Sequence, residues 1–479
     1  IIKSPDAFSL NLGFNKFMLP VGSQLFLSDA TGKDTKGPFT ESDNKEHKEF
    51  WTPLIRGDEI HIVLVLPKDK REELIMNLTK VSHDYLDFAS KISGSCNLDV
   101  ICGEDDGYEL VEQYRDIIRS VGAYHINGEA TCTGSLVNNT LKDKKPYFLT
   151  ADHCGVTSST DASLVVYWNY QSSYCRELGS SINAEDGDGR FDQFTIGSIL
   201  RASWEDSDFA LLELESPVQE QFDPFYAGWN AEGSYPASAI CIHHPAGEEK
   251  RISFEFDPLT SNNTVNFIYV NDWDIGTTEG GSSGTPLFNP SSQIIGQLKG
   301  GLASCSNDSY DRFGRFARSW VGNSFPSGSL KPWLDPENTG VLSIDGFEGD
   351  YFPSVEFTVL NICNETDQLL TIDVTTSNAY ANFITIEVDN VPIGVTVSQI
   401  SENITPGDKG MFILEIPSGI PFGSYPIEIT TTDGINEGSV GITLNIYNEA
   451  PTSVALAFPT DEFINASTSQ LLEWNEVDQ

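Results

Sequence analysis

One stretch of this 479-residue chain constrains the fold more than any other. From Cys96 to about Gly346, short apolar segments alternate with turns rich in Gly, Asn, Asp and Ser, a pattern typical of an all-β barrel or sandwich. Six of the chain's eight cysteines lie in this stretch, and none stands in the CxxC spacing that indicates zinc. The sequence therefore predicts a disulfide-containing β fold from an oxidising compartment.

The chain is long enough for about three domains. Residues 1–91 contain no cysteine; a strand is predicted at Glu59–Pro67 and a helix-like run from Lys70 to Lys91, so we expect a small α+β region. After residue 350 the composition shifts to Val, Ile and Thr, with turn signals every 8 to 12 residues or so, which favours an immunoglobulin-like β-sandwich over 350–449. Residues 450–479 look like the start of a truncated module similar to fibronectin type III.

Charge and hydropathy exclude some function classes. Lys and Arg number 28 against 70 Asp and Glu, a formal charge of −42, so nucleic acid is a poor partner. The acidity is most simply a solubility device, with steering of basic substrates as the alternative. No stretch of about 20 apolar residues predicts a membrane span. The chain begins without Met and without a signal peptide, so we expect it to belong to a longer exported precursor.

Three residues with the chemistry of acyl transfer follow one another in this β-rich stretch. His153 ends a predicted buried strand, Asp208 opens an alternating strand, and Ser283 stands in a Gly-rich turn. A serine hydroxyl needs a base to take its proton, and that base needs a carboxylate to fix its tautomer. Each residue alone is ordinary, but their order and shared setting predict a Ser-His-Asp triad. The backbone N–H groups of Gly281 and Ser283 would form the oxyanion hole.

Residues 92–346 resemble a known family through a longer set of motifs. The matching segments are Ser93–Val100, Arg115–Tyr124, Cys132–Thr140, Val165–Gln171, Ile242–Pro245, Gly296–Leu298, Tyr310–Arg315 and Trp333–Pro336. In these segments the chain is similar to bacterial lysyl endopeptidase, a secreted trypsin-like serine protease of the chymotrypsin fold. The resemblance implies a chymotrypsin-like double β-barrel and places the triad at His153, Asp208 and Ser283. It also implies three disulfides: Cys96 to Cys305, Cys102 to Cys175, and Cys132 to Cys154.

A pocket that selects Lys or Arg needs a carboxylate at its base, since an unpaired buried ammonium is costly. The common trypsin position, six residues before the nucleophile, is Thr277 here. The resemblance implies Asp311 instead, with a solvated loop aspartate as the alternative. Where the family carries a histidine beside the pocket, this chain has Lys299. Lys299 would either repel a cationic P1 side chain or pair with Asp311 or another pocket carboxylate.

The junction before the matching region predicts processing. Cleavage between Lys91 and Ile92 would release residues 1–91 as a propeptide, and self-processing there would require Lys at P1. The acidic loop Glu185–Gly189 could hold calcium, although a solvated turn is the favoured interpretation, and no metal or cofactor is expected.

The sequence thus predicts a secreted serine endopeptidase zymogen that cuts after Lys, with Arg as the alternative. Its expected partners are protein or peptide substrates and its own propeptide. The C-terminal modules would act as spacers or bind a surface, a polysaccharide or a protein. Two rival hypotheses remain: an adhesive surface protein with a weak or inactive protease-like barrel, and a protease of non-basic preference because Lys299 neutralises Asp311.

Overall fold

The computed structural model divides the chain into two compact units, Ile1–Gly349 and Asp350–Gln479. Each unit is described by itself. The described residues are 1–85, 93–128, 130–307, 309–348, 353–355, 359–363, 366–376, 383–405, 408–434, 437–447, 456–458 and 473–474. Lys91 and Ile92, the predicted processing site, lie outside them.

The N-terminal region is built from strands around its own apolar core. The strands are β1 (Ile2–Lys3), β2 (Ser9–Met18), β3 (Gln24–Ser28), β4 (Thr35–Phe39), β5 (Phe50–Trp51), β6 (Ile55–Arg56), β7 (Glu59–Val65) and β8 (Ile75–Asp84). One sheet has the order β1-β7-β3-β4; in the other, β2 pairs with β5, β6 and β8. Their core includes Leu10, Leu12, Phe14 and Phe17.

The prediction of a helix-like run from Lys70 onward is wrong. A 3-10 helix spans Lys68–Glu73, and strand β8 follows, paired antiparallel with β2 along its length. Strand β2 is largely buried, so its backbone groups need hydrogen-bond partners from a neighbouring strand. The β-branched residues of β8 suit that role better than a helix. Tertiary pairing therefore overrode the local pattern.

Strands β9 to β26 make up the rest of the first unit. They are β9 (Leu98–Asp99), β10 (Val121–Ile126), β11 (Ala130–Leu136), β12 (Tyr147–Ala151), β13 (Val165–Tyr167), β14 (Phe194–Ile196), β15 (Ser198–Trp204), β16 (Phe209–Leu214), β17 (Phe225–Tyr226), β18 (Gly228–Asn230), β19 (Ala239–His243), β20 (Arg251–Glu255), β21 (Phe267–Val270), β22 (Pro286–Phe288), β23 (Gln293–Gly301), β24 (Asp311–Arg315), β25 (Ser343–Ile344) and β26 (Phe347–Glu348).

Two large sheets carry the double-barrel fold that the sequence predicts. The first has the order β14-β13-β10-β11-β12-β16-β15. The second has the order β21-β24-β23-β22-β19-β20-β9. Strand β18 also pairs with β23, and β25 pairs with β18. A shared core lies between them, with Leu149 and Leu211 from the first sheet and Ile240 and Ile294 from the second. Because both sheets contribute to one core, the loops at their ends meet in a defined geometry.

The described part of this unit includes three short α-helices, α1 (Arg115–Ser120), α2 (Phe316–Val321) and α3 (Lys331–Leu334). No helix in the described ranges combines the length and apolarity needed to cross a membrane.

The second unit is a β-sandwich. Its strands are β27 (Ser354–Val355), β28 (Val359–Cys363), β29 (Gln368–Thr375), β30 (Thr385–Asp389), β31 (Thr396–Ser398), β32 (Lys409–Ile416), β33 (Gly423–Thr432) and β34 (Glu437–Tyr447), followed by the pair β35 (Leu456–Phe458) and β36 (Glu473–Trp474). The sheets run β27-β29-β32-β31 and β28-β34-β33-β30. Alternating residues such as Phe412, Leu414, Ile427 and Ile429 fill the core between them.

Candidate active site

Three predicted residues come together where the two large sheets meet. His153 lies in a 3-10 helix, Asp152–Cys154, directly after β12, and Asp208 directly precedes β16. The distance from His153 Nδ1 to Asp208 Oδ2 is 2.7 Å, and that from His153 Nε2 to Ser283 Oγ is 2.9 Å. With Nδ1–H donated to the carboxylate, Nε2 is left to accept the hydroxyl proton. The arrangement can therefore draw a proton from Ser283.

Asp208 is fixed by its backbone as well as by its side chain. Its φ of 56° lies in the left-handed region, which aspartate tolerates better than most residues. The carboxylate is buried and also accepts the backbone N–H of His153 at 3.1 Å, while the carbonyl oxygen of Asp208 accepts the N–H of Asp152 at 3.0 Å. These contacts hold the carboxylate and the imidazole in one mutual orientation.

The turn around Ser283 depends on glycine. Gly281 has a φ of +94°, and a Cβ there would lie 2.5 Å from the backbone nitrogen of Gly247. Gly284 has a φ of +82°, and a Cβ would lie 2.2 Å from Thr150 Oγ1. A side chain at either position would therefore displace the turn. Within the described residues, the N–H groups of Gly281 and Ser283 have no protein acceptor, which leaves them available as the predicted oxyanion donors.

Each of the two large sheets donates hydrogen bonds to the part of the site that the other sheet carries. Thr133 on β11 donates its N–H to the carbonyl of Ser283 at 2.8 Å and its hydroxyl to the carbonyl of Gly281 at 3.0 Å. In return, Gln297 on β23 donates from Nε2 to the carbonyl of Ser207 at 2.8 Å, next to Asp208. Relative movement of the sheets would therefore break bonds on both sides of the triad.

A buried histidine in the segment Ile242–Pro245, His243, supports the turn that holds Ser283. His243 Nδ1 lies 2.8 Å from Ser282 Oγ, and Nε2 lies 3.1 Å from Ser253 Oγ. Burial lowers the pKa of His243 to about 3, so the ring is neutral near pH 7. Ser253 continues the network by donating to the carbonyl of Thr277 at 2.8 Å. This network fixes the segment that leads to Ser283.

Asp311 is buried rather than solvated. Its Oδ2 accepts hydrogen bonds from Thr278 Oγ1 at 2.7 Å and from Trp273 Nε1 at 2.8 Å. Burial raises the pKa of the Asp311 carboxyl, and these two hydrogen bonds oppose the rise. Thr278 stands on the same segment as Ser283, so the carboxylate is tied to the nucleophile segment. Trp273 and Thr278 were missed in the sequence, where no local motif marks them as partners of Asp311.

Lys299 lies at the triad. Its Nζ is 3.0 Å from Asp208 Oδ1, and the described ion pairs include none between Lys299 and Asp311. This contradicts the rival hypothesis in which Lys299 pairs with Asp311 and neutralises it. The register of β23 against β24 shifts between Leu298 and Gly300, so Lys299 stands at an irregularity that sequence periodicity does not reveal.

The structure forms the three disulfides that the resemblance implies: Cys96–Cys305, Cys102–Cys175 and Cys132–Cys154. The last joins β11 to the short helix that carries His153. In the acidic loop, Asp188 accepts the N–H and the hydroxyl of Ser173 at 2.8 and 2.6 Å, so its carboxylate stabilises a turn.

Comparisons with known proteins agree with the sequence resemblance. Residues 90–314 match the family described as lysyl endopeptidase, C-terminal domain. The lysyl endopeptidase of Pseudomonas aeruginosa is 28% identical over 301 residues. This part of the chain is similar to lysyl endopeptidases. The alignment covers 59% of this chain and 60% of the Pseudomonas protein, so the chain spans about three fifths of the length of the curated relative that it matches.

Solved structures give weaker likenesses to this chain. The VesB protease of Vibrio cholerae is 12% identical, with a TM-score of 0.26, over 75% of this chain and 99% of that one. WR4, a member of the MSP family from C. elegans, is 13% identical, with a TM-score of 0.18, over 20% of this chain and 98% of that one. Likenesses at these TM-scores carry no weight for fold or function.

Proposed function

We propose that the protein is a secreted serine endopeptidase that cuts on the carboxyl side of Lys, with Arg as the alternative. The observation that carries this proposal is the unbroken line of hydrogen bonds from Asp208 through His153 to Ser283. Ser283 attacks the scissile carbonyl while His153 takes its proton, and Asp208 stabilises the imidazolium that forms. The N–H groups of Gly281 and Ser283 stabilise the oxyanion, and His153 gives its proton to the departing amine as the C–N bond breaks. Water, deprotonated by His153, then hydrolyses the acyl-enzyme and releases Ser283.

The burial and the hydrogen bonds of Asp311 support the proposed preference for a basic residue at P1. Its carboxylate is 1% exposed, and the two side chains that bond it, Thr278 and Trp273, are neutral donors. A buried carboxylate without a cation is costly, and an ammonium from the substrate would supply the missing charge. This favours Lys at P1 over an apolar residue.

We also propose that the chain is a self-processing precursor in which residues 1–91 are the propeptide and 92–346 the protease domain. The segment just after the proposed cut is firmly held, since the N–H of Ser93 donates to the buried Glu248 at 2.7 Å. The sandwich at 350–449 and the module that starts at 450 would serve as spacers or bind a surface, a polysaccharide or a protein.

The contacts of the N-terminal region support its retention after cleavage. Trp51 and Leu54 join an apolar cluster with Tyr167 of β13, and Lys36 pairs with Asp192 at 2.6 Å. Two strands separate β13 from β12, which leads to His153. A propeptide bound there would act as a partner of the first sheet rather than as a plug in the catalytic site.

The test is cleavage of a denatured protein, with the cut sites identified by mass spectrometry. We expect cuts after Lys, and we expect Ser283→Ala to lower kcat by about a millionfold, as loss of a serine nucleophile does elsewhere. Ser291→Ala, at an exposed serine in the turn after β22, is the matched control and should cut normally. The full chain should be cut between Lys91 and Ile92 only when Ser283 is intact.

Each competing hypothesis has its own outcome in this experiment. Persistent cleavage by Ser283→Ala would remove Ser283 from the mechanism. Cuts after apolar residues would refute the role of Asp311. No cleavage by processed wild-type protein would favour the adhesive protein with an inactive barrel.

A further inference from the structure

The two oxygens of the Asp208 carboxylate have different partners. Oδ2 faces His153 Nδ1 at 2.7 Å, whereas Oδ1 lies 3.0 Å from Lys299 Nζ and 3.1 Å from the backbone nitrogen of His153. The Asp208 side chain is 1% exposed and that of Lys299 is 27% exposed. The ion pair therefore joins a partly exposed ammonium to a buried carboxylate. Screening by solvent is weaker for such a pair than for two exposed side chains.

Strand β23 contacts the turn before β16 at two points. Besides Lys299 at the carboxylate, Gln297 donates to the carbonyl of Ser207 at 2.8 Å. The left-handed backbone at Asp208 is a conformation that surrounding contacts must maintain. Lys299 and Gln297 together supply such contacts from the second sheet.

We propose that Lys299 is a positioning residue of the triad: its ammonium holds Oδ1 of Asp208 so that Oδ2 stays directed at His153. This inference rests on the proposed protease function and assigns Lys299 a part in it other than substrate selection. Within the described residues, Lys299 makes no hydrogen bond or ion pair with Ser283 or His153, so it acts through Asp208.

The sign of the charge effect follows from the groups around Asp208. Asp152 lies beside His153, and burial raises the pKa of its carboxyl; Asp208 and Glu205 add to the rise, while Lys299 opposes it. Tyr124 on β10 also has a raised pKa, mainly through burial. The ionised Asp208 carboxylate attracts positive charge to this part of the site, and the Lys299 ammonium beside it offsets that attraction. Removing that ammonium should therefore move the acidic limb of kcat/KM to higher pH.

The experiment compares Lys299→Met with Lys299→Arg in the processed enzyme, using a short peptide substrate with Lys at P1. For Lys299→Met we expect kcat to fall about tenfold to a hundredfold, since a displaced catalytic group is costly, with KM changed less than twofold. The midpoint of the acidic limb should rise by roughly one pH unit. Lys299→Arg keeps the charge and should restore both values.

The matched control is Lys144→Met. Lys144 pairs with Glu220 at 3.1 Å and is 23% exposed, which resembles Lys299, but it lies away from the triad. This variant should leave kcat and the acidic limb unchanged. Thermal unfolding of each variant reports folding, and Lys299→Gln, a smaller neutral change, replaces Lys299→Met if the latter does not fold.

The possible failures are distinguishable. Wild-type kcat with an unmoved acidic limb in Lys299→Met would overturn the inference, as would an equal loss in Lys299→Arg. A rise in KM for Lys substrates alone would also overturn it, because it would place Lys299 in substrate binding. Hydrolysis by the wild-type enzyme tests the proposed function separately, and its absence would reject that function together with the inference.

Discussion

Two buried aspartates of the first unit differ in the partners that stabilise their carboxylates. Asp208 and Asp311 are 0% and 1% exposed. Asp208 has a cation within the chain, Lys299, together with His153. Asp311 is bonded by two neutral side chains, Trp273 and Thr278. A carboxylate with an internal counter-charge is suited to a permanent catalytic role, whereas one held by neutral donors is suited to receiving a cation from outside. Three predictions test this contrast.

The largest effect is expected from Asp311→Asn. It removes the charge that a substrate ammonium would meet, so kcat/KM for Lys substrates should fall about a hundredfold to a thousandfold. Steady-state kinetics on paired substrates with Lys and a neutral residue at P1 measure the effect. The neutral substrate should change less than about threefold. An equal loss on both would mean that Asp311 supports the fold of the site and does not select the substrate.

The pH dependence of substrate preference should test the role of Asp311 further. Burial raises the pKa of the Asp311 carboxyl, and only the ionised form attracts a Lys side chain. The ratio of kcat/KM for Lys to neutral P1 substrates should therefore fall as the pH drops through this raised pKa, by about tenfold per unit below it. In Asp311→Asn the ratio should be flat with pH. A flat ratio in the wild type would contradict the role of Asp311.

The smallest effect is expected from Thr278→Val. It removes one hydrogen bond to the Asp311 carboxylate, and a bond to a charged group contributes enough that kcat/KM for Lys substrates should fall about tenfold. Thr277→Val is the matched control, because the buried Thr277 hydroxyl has no hydrogen-bond partner among the described residues. Kinetics on the same substrate pair measure both variants. Equal losses in the two would assign the effect to packing.

The sequence was informative where local pattern and chemistry agree. Turn spacing and cysteine content predicted the mainly β fold of 92–346, and the alternating Val, Ile and Thr of the C-terminal part predicted a sandwich. The residue types at His153, Asp208 and Ser283 indicated acyl transfer before any geometry was known. Their roles remain predictions, although the structure brings the three within hydrogen-bonding distance.

Long-range pairing explains what the sequence left out or predicted wrongly. Strand β8 was expected as a helix because its pairing with β2, some 60 residues away, leaves no local signal. Trp273 and Thr278 reach Asp311 across 38 and 33 residues. These contacts depend on sheet register, which a linear pattern does not encode.

The sequence by itself determined the fold class, the candidate chemistry and the residues that could perform it, because these depend on periodicity, turn composition and side-chain type. Only the tertiary structure decided which charged side chains lie close enough to pair. Pairing with Asp311 was one of the alternatives for Lys299, yet Lys299 stands at the irregularity in β23 and pairs with Asp208, 91 residues away in the chain. The reason is physical: a buried carboxylate takes its counter-charge from whatever the packed sheets bring within about 3 Å, and sequence distance does not enter that choice.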